Sequence, residues 1–333
     1  MLMIGLDIGG TKIEAQLALI ESTSGNQSIP IATTQQKLYL TVLAKMRRPT
    51  QRQQGYSAVM ANISLLIKDL LEQQQLQLQE LAGIGVGLPG TIDPASSTML
   101  NGNSQIFIHQ PFARDLQQHL GTDLPVHCTN DANLFTLAEV YGGVGPKYAQ
   151  QFNRPISCHT AVGLILGTGV GGGVILSGEV LLGRFGGGAE VGHTTLVNNG
   201  EPCYCGRQGC AECYLSGTGL ERNYQNITGQ SLKGAEIFQQ ADSKVKAAVD
   251  TVTTYRQHLQ QFLLNLTNTF DPDYFVLGGG ISLQPAIYQG VEAFLKEQSF
   301  VPNSAPKVYQ HQLGDSAGGS GAVIFCAEKE CLT

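Results

Sequence analysis

Residues 2–20 read LMIGLDIGGTKIEAQLALI. Residues 2–8 predict an apolar strand, Gly9-Gly10-Thr11-Lys12 a tight turn, and residues 13–20 a second strand, giving a hairpin around Gly9-Gly10. The same logic returns at 161–176, where AVGLIL runs into the glycine turn GTGVGGG (167–173) and then into VILSG. This is a weak internal repeat, strand–glycine turn–strand, and two such halves facing each other would hold one ligand between them. A third apolar stretch, FVLGGGIS at 275–282, also ends in glycines. Turns of this kind aim backbone N–H groups at an anion with no Cβ in the way.

Other elements follow from periodicity. Val59, Ile63, Leu66, Ile67, Leu70 and Leu71 recur at helical spacing, predicting an amphipathic helix over 56–81 whose tail, EQQQLQLQE, is a solvated end or loop. AGIGVGLPG (82–90) reads as a strand closed by Pro89, and DLPVHC (123–128) as another. NDANLFTLAEVYGG starts a helix, with Asn130 or Asp131 near its N-terminus, where short polar side chains cap well. Residues 247–270 predict a long helix, and GDSAGGSGAVIFCAE (314–328) a glycine turn entering a C-terminal helix.

The glycine loops narrow the nucleotide chemistry. No Gly-Lys-Ser/Thr occurs, which excludes a Walker A loop. The spacing GxGxxG occurs at Gly85-Gly87-Gly90 and Gly167-Gly169-Gly172, but in neither place does the turn open a helix, as a dinucleotide fold requires. Two hairpin turns clamping phosphates suit the pattern better, with Asp7 orienting Mg²⁺ beside the first.

At 333 residues the chain exceeds one small core, so two domains are expected. Only 14% of residues are charged and the net charge is −6, which argues against a nucleic-acid surface. No apolar run reaches about 18 residues, and MLMIGLDIGG has neither a basic region nor a cleavage site, so neither a membrane span nor secretion is expected. The cysteines agree: Cys203, Cys205, Cys210 and Cys213 fall within one short segment, which reads as metal binding in a reducing, cytoplasmic compartment before it reads as disulfides.

Cys203, Cys205 and Cys210, with His193 upstream, make a Cys₃His set suited to structural Zn²⁺. Cys213 competes with His193 for the fourth position. Among carboxylates, Asp131 at a helix start is the candidate base for a hydroxyl nucleophile. Glu190 and Glu212 flank the cysteines, where carboxylates would accept hydrogen bonds from vicinal hydroxyls.

In order along the chain, DIGGTK (7–12), NDAN (130–133), LGTGVGGG (166–173), EVGH (190–193), CYCGRQGCAE (203–212) and LGGG (277–280) resemble the ROK family of repressors and sugar kinases over essentially the whole length. The resemblance implies an α/β actin-like ATPase fold, a duplicated ribonuclease H-like design with two domains and a cleft between them. The expected division is 1–128 plus a C-terminal helix at about 315–333 in a smaller domain, and 129–314 in a larger domain bearing the zinc site. It implies Mg-ATP and a hexose as substrates, Asp131 as catalytic base, and Asn103, Asn130, Glu190, His193 and Glu212 on the sugar hydroxyls. Gly5, Asp7, Gly9, Gly10, Thr11 and Lys12, then Gly167, Thr168, Gly169, Val170 and Gly171 within a segment running to Val174, and finally Gly279, match ATP positions. His193, Cys203, Cys205 and Cys210 match the zinc positions, and relatives suggest a homodimer. With DIGGTK starting at residue 7 no room is expected for a repressor's helix-turn-helix. NGNSQIFIHQPF and PCYCGRQGC…YLSGTG…LKGAEI look most like fructokinase/mannokinase members, with N-acetylglucosamine kinase and glucokinase as alternatives. A non-catalytic sugar sensor is the rival from another class.

Overall fold

The computed structural model describes residues 1–333 except 24, 26, 27, 33–36, 103, 303, 304, 315, 316, 332 and 333. In chain order its strands are β1 (Leu2–Ile8), β2 (Lys12–Glu21), β3 (Ile29–Ala32), β4 (Lys37–Pro49), β5 (Leu81–Leu88), β6 (Gly90–Ile92), β7 (Met99–Gly102), β8 (Val126–Asn130), β9 (Ala161–Leu166), β10 (Val170–Leu176), β11 (Glu179–Val180), β12 (Tyr274–Gly278) and β13 (Lys307–Gln310). Its helices are α1 (Tyr56–Gln73), α2 (Phe112–Leu120), α3 (Asp131–Gly142), α4 (Val144–Phe152), α5 (Glu212–Leu215), α6 (Gly217–Thr228), α7 (Gly234–Asp242), α8 (Lys246–Phe270), α9 (Val291–Gln298) and α10 (Ala317–Cys331). None is long and apolar enough to cross a membrane among the described residues.

The chain forms two compact units, one of residues 1–159, 175–189 and 313–333, the other of residues 160–174 and 190–312. The first reaches past the expected boundary at 128/129 and takes in α3, because that helix packs along α10.

In the first unit six strands pair in the order β3–β4–β2–β1–β5–β8. β1 is antiparallel to β2 and parallel to β5, and β5 is parallel to β8. Alternation along β1 separates its two faces. Ile4, Leu6 and Ile8 share one core with α1, where Val59, Met60, Ile63, Leu66, Ile67, Leu70 and Leu71 are buried. Each such side chain contributes about 1.5–3 kcal/mol on burial. The opposite face lies under α10, and glycines let the helix come close: a methyl group on Gly5 would sit 2.1 Å from the Gly319 carbonyl oxygen, and one on Gly85 1.8 Å from that of Ala322. The glycines of GIGVG in β5 therefore serve close helix–sheet packing rather than a dinucleotide. α1 ends at Gln73, short of residue 81, because the chain reverses through Gln75 at φ 56° and returns Leu76 and Leu78 to the same core.

In the second unit β10, β9, β12 and β13 are successive neighbours, with β12 parallel to both β9 and β13. β9 thus has a hairpin partner on one side and a parallel strand on the other, as β1 has. The repeat read from the sequence is a repeat of topology. α8 anchors the helical layer through Tyr255, Leu259, Phe262, Leu263 and Leu266, and the Tyr255 hydroxyl donates to the Leu215 carbonyl at 2.9 Å.

Candidate active site and metal-ligand cluster

In the first unit the turn after β1 is closed by Gly9 N–H donating to the Lys12 carbonyl at 2.9 Å. Thr50, fully buried at the end of β4, braces it from behind: its hydroxyl donates to Gly9 O at 2.7 Å and its N–H to Thr11 O at 2.9 Å. The Arg52 guanidinium overlies Gly10, so that a methyl group there would lie 3.2 Å from Nη1. Neither Thr50 nor Arg52 stands out in sequence, because long-range pairing of β4 with β2 brings them to the turn. Gly10, Thr11 and Lys12 are accessible, whereas Gly5 is buried beneath α10 and its part is packing. Asp7 rests against the first turn of α10, with Gly318 lacking the Cβ that would strike its carboxylate at 2.4 Å. Behind them the buried carboxylate of Glu14 accepts from Gln16 at 2.6 Å and from Arg47, and Gln16 accepts from the Ser320 hydroxyl at 3.0 Å.

Asn130 and Asp131 divide the labour at the start of α3. Asn130 is the N-cap: its side-chain oxygen accepts from Ala132 N–H at 2.8 Å and its amide donates to Gly90 O at 3.1 Å. Asp131 is the first helical residue and is partly exposed. Asn103, expected beside the sugar, lies outside the described residues.

In the second unit the turn from Gly167 to Val170 is tied down at its carbonyls. Gly167 O accepts from Gly217 N–H at 2.7 Å, Thr168 O from the Thr218 hydroxyl at 3.0 Å, and Gly169 O from Gly167 N–H at 3.0 Å. The last N–H of the turn, on Val170, donates to a Glu212 carboxylate oxygen at 2.9 Å. Gly171 continues in β10, and Gly279, at φ 80°, passes so close to β9 that a Cβ would meet Leu166 O at 2.5 Å. A cavity of about 440 Å³ opens beside the turn, bordered by Thr168, Thr218, Glu221, Lys233, Gly280 and Gln284. Lys233 and Glu221 pair across its rim at 3.1 Å. Only their positions on α6 and before α7 reveal this; neither has a local motif.

The cysteine loop gathers residues that could hold a metal ion. Ligand atoms of His193, Cys203, Cys205 and Cys210 all lie within 4.8 Å of one another. Cys205 Sγ to Cys210 Sγ is 3.6 Å, as is Cys203 Sγ to His193 Nδ1. A tetrahedron with metal–sulfur bonds near 2.3 Å has edges of about 3.8 Å, so these spacings fit a zinc ion. Cys213 stands outside the group, its thiol on the Pro202 carbonyl at 3.7 Å. Burial opposes ionisation of Cys205, but hydrogen bonds from the Arg207 backbone and side chain and from the neighbouring thiols draw it down to about 6. The His193 ring presents Nδ1 to the cluster and Nε2 to the Tyr204 hydroxyl at 3.0 Å, an outer partner of the kind that orients ligating imidazoles. Glu190, exposed, precedes the short turn that carries His193, and Glu212 begins α5 two residues after Cys210.

The family model described as ROK family matches residues 3–329. The chain is 31% identical over 336 residues to a protein named N-acetyl-D-glucosamine kinase from Haemophilus influenzae (strain 86-028NP), covering 98% of this chain and 99% of that one. It is 32% identical over 329 residues to N-acetylgalactosamine kinase AgaK from Shewanella sp. (strain ANA-3), covering 96% and 95%. Among solved structures, a ROK family glucokinase from Streptomyces griseus in complex with glucose and AMPPNP superposes with a TM-score of 0.71 at 27% identity, covering 97% of this chain and 98% of that one.

Proposed function

We propose that this chain, which belongs to the ROK family, transfers the γ-phosphate of ATP to a hydroxyl of an N-acetylhexosamine, with N-acetylglucosamine as the preferred sugar. Its fold is the α/β actin-like ATPase fold, and it is a sugar kinase that phosphorylates a hexose. The preference for an acetamido sugar rests on one observation: relatives at 31% and 32% identity over nearly the full length are named for N-acetylglucosamine and N-acetylgalactosamine. Those names favour the N-acetylglucosamine kinase alternative over the fructokinase/mannokinase reading of NGNSQIFIHQPF.

Asp131 is proposed as the base. A sugar hydroxyl is too weak an acid to attack phosphorus unaided, and a carboxylate within reach takes its proton as the new O–P bond forms. Support comes from position: Asp131 is the first residue of α3, next to the N-cap Asn130, and is partly exposed. Asn103, Asn130, Glu190, His193 and Glu212 are the proposed sugar contacts. Gly9, Gly10, Thr11 and Lys12, and Gly167 to Gly171 with Gly279, are the proposed ATP segments. Mg²⁺ bound with ATP would neutralise phosphate charge, and Asp7 is the carboxylate proposed to orient it.

His193, Cys203, Cys205 and Cys210 are proposed to hold a structural Zn²⁺, supported by ligand atoms that all lie within 4.8 Å of one another and by two spacings of 3.6 Å. A closed four-ligand set of this type supplies rigidity, not a reactive water.

ADP release measured across N-acetylglucosamine, N-acetylgalactosamine, glucose, mannose and fructose tests the proposal. The highest kcat/KM is expected on N-acetylglucosamine. Faster turnover of fructose or mannose overturns the substrate assignment, and sugar binding with no ADP release would make the chain a sensor.

A further inference from the structure

Both ends of the cysteine–histidine loop close on one residue of the glycine turn. On the first side Gly192, immediately before His193, lies against Val170: a methyl group on Gly192 would meet the Val170 carbonyl oxygen at 2.2 Å. On the second side Glu212, two residues after Cys210, accepts the Val170 N–H at 2.9 Å. The two sides are stitched together, since Ala211 N–H donates to Thr194 O at 2.9 Å and Leu196 N–H to Gly209 O at 2.7 Å. Gly169 leaves room for the contact, because a Cβ there would lie 2.5 Å from the same Glu212 oxygen. The Val170 peptide is therefore gripped through its carbonyl side by the residue next to one ligand and through its N–H by a residue just beyond another.

We infer that Glu212 is a positioning residue for the nucleotide: it couples the metal-ligand loop to the turn Gly167–Val170 and holds that turn in the shape that receives phosphate. This rests on the proposed role of the turn in ATP binding, and it goes beyond the sugar contact proposed for Glu212. The hydrogen bond needs only an acceptor, not a charge. A full negative charge behind a turn that takes a polyphosphate is electrostatically unfavourable. Glutamine at this position keeps the acceptor and removes the charge, whereas alanine removes both. A sugar-only role for Glu212 would leave nucleotide affinity in the absence of sugar untouched by either change. Coupling is also reciprocal, so nucleotide on the turn must tighten the loop as the loop tightens the turn.

The test is the affinity of the purified chain for Mg·ADP and Mg·AMPPNP without sugar, in wild type, Glu212→Ala and Glu212→Gln. Loss of the hydrogen bond that shapes the turn predicts up to about tenfold weaker binding for Glu212→Ala, with Glu212→Gln, which keeps the acceptor, equal to or tighter than wild type. Unchanged affinity in a folded Glu212→Ala overturns the inference alone. A wild-type chain that binds neither nucleotide overturns the ATP assignment of the turn, and the inference with it. Should Glu212→Ala fail to fold, wild type decides by a second readout, the rate at which a chromogenic chelator extracts zinc. Mg·ADP is expected to slow extraction severalfold, and no effect, or no metal to extract, overturns the coupling.

Discussion

Asn130 accepts the Ala132 N–H through its side-chain oxygen at 2.8 Å, so that its neighbour Asp131 opens α3 without serving as the cap. Adjacent polar residues at one helix start thereby take different work, one structural and one proposed as chemical.

For Asp131→Asn, kcat is expected to fall by at least about a hundredfold while the sugar dissociation constant moves by less than a few fold. Steady-state kinetics with equilibrium sugar binding checks this. Turnover within tenfold of wild type would remove Asp131 as base. Asn130→Ala is expected to lower the melting temperature as well, since the lost cap is worth about 1 kcal/mol.

The metal assignment separates His193 from Cys213. Zinc measured by atomic absorption should be lost from Cys205→Ala and His193→Ala and retained, one per chain, in Cys213→Ala, whose thiol faces the Pro202 carbonyl instead. Retention in His193→Ala with loss in Cys213→Ala would reverse the ligand set.

The glycine stripe beneath α10 predicts a stability effect with no chemistry in it. Gly85→Ala would place a methyl group 1.8 Å from Ala322 O, and relief requires α10 to move off the sheet. A destabilisation of about 2 kcal/mol or more is expected by denaturant titration. An effect under about 0.5 kcal/mol would mean the helix and sheet are not in this contact.

Glu328, on α10, gives a pH signature. Burial pushes its carboxyl up to about 8, with Glu179 adding to the rise and Tyr141 and Lys329 opposing it. The folded chain then holds a proton that the unfolded chain releases near the ordinary carboxylate value of 4.5. Unfolding free energy from this group falls as pH rises between those two values and levels off above about 8. Glu328→Gln should flatten the decline, and its advantage over wild type should grow from pH 5 to pH 8. Parallel stability–pH curves for the two proteins would exclude the effect.

The two hairpins were readable because their information is local: alternating apolar residues flanking glycines at 2–21 and at 161–176. The long helix at 246–270 was readable for the same reason. β4 was not anticipated, although Leu38, Leu40, Val42, Ala44 and Met46 alternate through it, because Lys45, Arg47 and Arg48 make the stretch resemble a polar connection. Its strand character comes from antiparallel pairing with β2, and that pairing carries Thr50 and Arg52 to the first glycine turn. Likewise the context of GIGVG in β5 argues against a dinucleotide turn, but the packing role of its glycines is set by α10, more than two hundred residues later in the chain.

Sequence alone determined the family, the paired glycine turns, the acid at the head of α3 and the cysteine spacing, since each is written in residues close together in the chain. Tertiary structure decided that His193 rather than Cys213 gathers with Cys203, Cys205 and Cys210, which of Asn130 and Asp131 caps the helix, and that Glu212 reaches the Val170 peptide. The cap and the cluster turn on side-chain orientation, which residue spacing leaves open, and the Glu212–Val170 bond joins segments 42 residues apart, which no local pattern brings together.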